Sequence, residues 1–213
     1  MTVEIEIWSD VMCPFCYIGK RHLEASLKLF PDTPVRISWK SFQLDPMISP
    51  QPGKDVYSYL AERKGMSVDQ SRSLHADVAK RAAAVGLDYQ FDKTIIANSW
   101  KAHRMIQLAK QKGHDDQIEE RLFLAYFTRG EDLNDENTLM RLGVEIGLNP
   151  LDIREAISTD IFDDAIRSDI QEAQEFGVRG VPFFVFNRKY AISGAQPVEV
   201  FTETIQAVIQ ESY

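Results

Sequence analysis

Hydrophobic positions along this chain change period three times. Over residues 3–8, VEIEIW, apolar and polar residues alternate, as in a strand with one buried face. VRISWKSFQL at 35–44 predicts a second strand. Between them Ile18, Leu23, Leu27 and Phe30 form a rough helical stripe, which Pro14 can open at the first helical position and Pro31 ends. DPMISPQPGKD at 45–55 carries three prolines and a glycine and reads as an irregular connection at a domain boundary. From about 55 to 155 strand signals vanish. Ser67 and Gln70 make a capping-box pattern before a helix that Gly86 can close. Residues 98–113 read as a further helix, Ile118, Leu122, Ala125 and Tyr126 share one helical face, and 136–147 and 149–158 predict two more helices. Beyond about 160 the first character returns. A helix runs roughly from Asp160 to Phe176, a short apolar strand and a second strand flank a polar turn at Asn187–Lys189, and Phe201, Ile205, Val208 and Ile209 mark a closing helix. The order predicts an α/β protein whose first domain is split, 1–50 and 159–213, around an all-α insertion at 51–158.

An apolar content of 44% is enough for a real core without disulfide staples. The net charge of −8 comes from dispersed acidic residues, with no Lys/Arg block, so a nucleic-acid partner is not expected. MTVEIEIWSD has neither a basic leader nor a continuous apolar core, and no stretch approaches the roughly 18 apolar residues of a membrane span. A cytoplasmic protein with no membrane partner is the expectation.

That setting sharpens the meaning of MCPFC, residues 12–16, which holds both cysteines of the chain. A disulfide across three residues would close a tiny loop and do little for a cytosolic core. A zinc site needs about four ligands, yet no second CxxC exists and His22, His75, His103 and His114 are scattered, so no metal is expected. Redox chemistry fits better. Residues three apart share a helix face, so Cys13 would sit at the helix start with an exposed sulfur and Cys16 one turn inside. Free N–H groups and the positive end of the macrodipole favour the thiolate of Cys13. Cys13 would attack a substrate disulfide, and Cys16 would then displace the captured group. A CxxC that follows a strand and opens a helix is a thioredoxin-like redox signal.

RGVPFFVF supplies a second candidate. Pro182 can be simple strand entry or the second residue of a cis Val181–Pro182 bond. In the latter case the loop would pack opposite the CxxC, and Val181 could pair with an extended substrate. Trp8 and Met12, with Pro14 and Phe15, could form an apolar apron around the thiols, although Trp8 also suits a core position. Asn98 and His103 lie on an insertion helix that could face the CxxC, or be a cap and an ordinary histidine. Lys20 and Arg21 could hold an anion or be a solvated face.

CPFCYIGKRHLE, AYFTRGEDLND and EFGVRGVPFFVFNRKYAISGAQP, with a helical block between them, resemble the DsbA-like thioredoxin family over nearly the whole chain, in particular its FrnE-type dithiol–disulfide oxidoreductases and isomerases. The resemblance implies a thioredoxin fold interrupted by a helical domain, Cys13 as attacking thiol, Cys16 as resolving thiol and Val181–Pro182 as the cis-proline loop. It implies no tightly bound cofactor, glutathione or another thiol as reductant, a disulfide-containing protein or small thiol as substrate, and a monomer or homodimer. Two departures stand out. Thioredoxin-type enzymes often carry a buried acid where this chain has Ile7, and Glu6 or Asp10 would have to substitute. The strongly oxidising members carry CPHC; Phe15 brings no charge, which places the couple nearer about −270 mV than about −120 mV. Kappa-type glutathione transferases and hydroxychromene-carboxylate isomerases share the fold and form the alternative, but use a serine or single nucleophile where Cys13 stands. A chaperone-like binder with a vestigial CxxC is a third, non-enzymatic reading.

Overall fold

The computed structural model describes residues 2–51 and 53–211. The alternating segment forms β1 (Val3–Ser9), which pairs in parallel with β2 (Val35–Ser41) from Val3–Val35 through Ser9–Ser41. Its other edge takes β3 (Phe183–Phe186) antiparallel, and β3 turns into β4 (Tyr190–Ser193), giving the order β2-β1-β3-β4. The polar turn is tight because Asn187 and Arg188 both adopt left-handed φ values, 46° and 53°.

Alternation sorts the side chains. Val3, Ile5 and Ile7 are buried on the face that carries α1 (Pro14–Leu27) and α9 (Val198–Gln210). The opposite face takes α8 (Asp163–Glu175), over a smaller core of Trp8, Ala173, Val178 and Val185. β2 stops at Ser41 rather than at 44, because the Leu44 amide turns away to donate to Asp10 Oδ2 at 2.8 Å. α8 begins at Asp163, three residues later than its pattern suggests.

The insertion is helical throughout: α2 (Val56–Lys64), α3 (Val68–Ala84), α4 (Trp100–Gln111), α5 (Asp115–Phe123), α6 (Glu136–Glu145) and α7 (Pro150–Ser158). The Ser67–Gln70 capping box is present, and Gly86 leaves α3 at φ 79°. α5 continues as a π-helical stretch over 124–129, which no periodicity announces. Stacked rings dock this block on α1: Tyr17 on Phe123 at 4.8 Å and on Tyr89 at 6.3 Å, with Tyr89 in turn on Phe127 at 4.7 Å within the block. The main core is therefore continuous from Ile5 and Cys16 to Phe123 and Phe127.

Gly130 ends the π stretch at φ 65°, and a Cβ there would lie 2.5 Å from the Lys93 carbonyl oxygen. Backbone cannot yield as a side chain can. Gly130→Ala should cost about 2 kcal/mol or more, through left-handed strain plus overpacking, readable as a lower urea midpoint. A midpoint within error of the parent would show that the close approach is not needed.

Candidate active site

The thiols stand where β1 hands over to α1. Cys13 is the N-cap residue of α1, in extended conformation at φ −90° and ψ 111°, with Pro14 opening the helix and Cys16 in its first turn. The Cys13 amide donates to Asp10 O at 2.8 Å and the Cys16 amide to Cys13 O at 3.0 Å. Both cysteines are free thiols. The expected exposed sulfur is not found: Cys13 is 3% exposed and Cys16 1%. The Cys13 side chain caps no helix amide. Its thiol donates instead to the Val181 carbonyl at 3.2 Å, because the loop before β3 lies against it.

The Val181–Pro182 peptide is cis, and Pro182 is buried. The loop is pinned from both sides. Gly194 N–H donates to Pro182 O at 2.8 Å, and Gly19 of α1 admits the proline ring, since a Cβ there would lie 3.1 Å from Pro182 Cγ and 3.0 Å from Phe184 Cζ. A side chain on Gly19 would press the loop away from Cys13.

Cys16 differs from its partner electrostatically. Burial, then the hydrogen bond and charge of Cys13, hold its thiol well above the ordinary range. The Asp10 amide and the Ser9 hydroxyl pull the other way, and the buried Ser9 Oγ has no other partner among the described residues. These two donors stand ready for the thiolate that Cys16 must become. Tyr89 donates to Pro14 O at 2.6 Å and is kept protonated by burial, then by the Cys13 charge.

The other candidates divide. Met12 and Pro14 line a pocket of about 300 Å³ on the side of α2, while Phe15 lines a separate hollow with His22 and Arg81. Trp8 does not join an apron: its ring is fully covered beneath α8, and Nε1 donates to Asp169 O at 2.8 Å, so it offers substrate no surface. Asn98 caps, with Oδ1 accepting the Trp100 amide at 2.9 Å. His103 is fully buried, donates from Nε2 to Phe42 O at 2.9 Å and sits 3.9 Å from Asp10 Oδ1. Burial pulls its pKa down, so it packs as a neutral ring behind the loop. Asp10 uses both oxygens on amides, Met12 at 3.2 Å and Leu44 at 2.8 Å, and so shapes the loop. Glu6 meets Arg188 at 2.7 Å and Lys40 at 3.6 Å, away from Ile7. Lys20 and Arg21 are engaged by Glu24 and Glu120, and Lys20 also by Asp116, which leaves neither free for a substrate anion. Sequence reasoning missed Tyr89 and the role of Ser9; the place of Ser9 beside Trp8, just before the thiol loop, was legible, but not that its hydroxyl faces Cys16.

A strand, a helix opened by two thiols, and a cis-proline loop facing the outer one are features of a thioredoxin-type site, and the comparisons agree. A model of the DSBA-like thioredoxin domain matches residues 4–206. The chain belongs to that family. The solved structure of the probable DsbA oxidoreductase SCO1869 from Streptomyces coelicolor is 34% identical, with a TM-score of 0.92 over 98% of this chain and 91% of that one. Uncharacterized protein YwbO of Bacillus subtilis is 27% identical over 96% of both chains. A 2-hydroxychromene-2-carboxylate isomerase shares the fold at 13% identity, with a TM-score of 0.74 over 98% of this chain and 97% of that one.

Proposed function

We propose that this protein is a dithiol–disulfide oxidoreductase that reduces or isomerises disulfides, of the FrnE type and cytoplasmic, with glutathione or another small thiol restoring its dithiol. One observation carries the reading: the chain's two cysteines are both free thiols on one helix turn, and the cis-proline loop accepts a hydrogen bond from the outer one. Cys13, as thiolate, attacks one sulfur of a substrate disulfide. A Cys13–substrate disulfide forms and the other substrate sulfur leaves as a thiolate that takes up a proton. Cys16 loses its proton and attacks the Cys13 sulfur. The second substrate thiol departs, and the two electrons lost by the dithiol have reduced the substrate disulfide. Two equivalents of the small thiol reverse the oxidation.

The alternative, a glutathione-activating isomerase, shares the fold, but a second thiol one turn from the nucleophile serves no purpose in such a site, which favours the exchange reading. The test is capture. Cys16→Ala protein mixed with an oxidised peptide should accumulate a covalent adduct cleaved by dithiothreitol, and the Cys13→Ser protein should form none. Adducts on both variants, or on neither, would remove Cys13 from the role of attacking thiol.

A further inference from the structure

The pocket beside the CPFC loop carries more than the exchange mechanism uses. Its roughly 300 Å³ is at the small end of small-molecule sites. Met12 and Pro14, which flank Cys13, form one wall; Leu60 of α2, Phe91 and Phe127 form apolar walls facing it. Tyr126 lines the same space. It is 5% exposed, and its hydroxyl has no hydrogen-bond partner among the described residues. Tyr17, Tyr57, Tyr59, Tyr89 and Tyr190 all have one. With no such partner and the cavity beside it, the Tyr126 hydroxyl is left to the contents of the cavity, water or ligand, for a partner.

The charge balance narrows that partner. His75 donates from Nδ1 to Ser71 O at 2.8 Å and is gripped edge-on by Tyr57 and Phe91, at 4.9 and 4.7 Å; burial keeps the ring neutral, which leaves Nε2 as an acceptor. Asp45 is taken by Arg63 at 2.8 Å and by Tyr59, and Asp10 by two amides. The charges of the lining are thus mostly met within the protein. Lys64 is exposed and keeps its charge in water, so what the buried part of the lining leaves is one hydroxyl donor and one ring-nitrogen acceptor amid aromatic and aliphatic walls. That suits a flat, uncharged ring bearing an acceptor atom, and no length of polypeptide.

We propose that this pocket is a subsite for small uncharged aromatic disulfides and their thiols, in which Tyr126 donates to an acceptor on the ring while the disulfide lies against Cys13. The proposal rests on the exchange reading and gives it a substrate class. The reduced protein would transfer two electrons to an aryl disulfide, releasing two aryl thiols and leaving the Cys13–Cys16 disulfide.

The probes are 4,4′-dithiodipyridine, an uncharged heteroaryl disulfide, and bis(2-hydroxyethyl) disulfide, which has no ring. Oxidation of the wild-type dithiol by the first should saturate with concentration. The rate ratio of first to second should fall about fivefold in Tyr126→Phe and at least tenfold in the pocket-filling Leu60→Trp. Tyr126→Phe should melt no lower than wild type, because it deletes an unpaired hydroxyl. 4-Methylpyridine, which cannot exchange, should shift the methyl NMR signals of Met12 and Ile48 in the wild type. Failure of that shift, a ratio unmoved by both substitutions, or a lower melting point for Tyr126→Phe would each overturn the subsite. Binding of 4-methylpyridine with neither disulfide reduced would instead overturn the exchange reading and leave the pocket standing.

Discussion

Serine at position 13 is expected to leave insulin disulfide reduction by dithiothreitol at its uncatalysed rate. The thiolate is the nucleophile in exchange, and a hydroxyl with no adjacent base is a poor substitute. Cys16 cannot take over, being 1% exposed and held protonated by its burial. The loss should therefore be complete, on the order of a thousandfold or more in the first step. The pH dependence of the second step follows from the same burial. Release needs the Cys16 thiolate, its thiol is raised above the ordinary range, and so release should quicken as pH rises through and beyond about 8.5. The sign for stability is opposite. A raised thiol favours the fold fully below the unfolded value, and that contribution is lost at alkaline pH as the folded value is approached. Catalysis by Cys13→Ser at the wild-type rate, or release that slows with pH, would contradict these roles.

Asp169→Ala should be the most damaging substitution remote from the thiols. The carboxylate is 6% exposed; Oδ2 accepts from the Ser41 amide at 3.0 Å and Gln107 Nε2 at 2.7 Å, and Oδ1 lies 3.3 Å from Lys40 Nζ. Alanine would strand the Ser41 amide, take from Gln107 Nε2 its shorter bond and leave it the Ser41 hydroxyl at 3.1 Å, and leave the Lys40 ammonium to Glu172 and Glu6 alone, at the junction of β2, α4 and α8. Removing one partner of a buried ionic network costs about 3–5 kcal/mol, because the others remain buried. At this chain length that is a fall of roughly 10 °C in Tm. Asp169→Asn keeps an oxygen acceptor and should lose less. A loss under about 1 kcal/mol for alanine, by urea unfolding, would show that the network is already met by water.

The elements were largely legible because burial imposes period 2 on β1 and a helical period on α4, α5 and α9. What escaped has physical reasons. Trp8 is ambiguous by composition, but strand alternation sets it on the face opposite Ile7, beneath α8. Cys13 was expected to be exposed because a helix start is normally open; the Val181 carbonyl that closes over it comes from 168 residues later. α2 is only nine residues long, too short to show a helical period, and the π stretch after α5 follows neither the helical period nor that of a strand. The CPFC motif named the site, while its neighbours Ser9, Tyr89 and Tyr126 converge on it only once the chain is folded.

The place of β1 in the sheet has a bearing on how the molecule is made. Its partner on one side, β2, follows within a few dozen residues, but the other edge waits for Phe183–Phe186. On the ribosome, at about 5–20 residues per second, that edge stays unzipped for roughly ten seconds or more while the insertion emerges. A nascent hairpinless pair of hydrophobic strands is a template for mispairing, and closure over so long a loop is slow. Newborn chains should therefore need shielding until β3, at the start of the last seventh of the polypeptide, is out, whatever the stability of the finished protein.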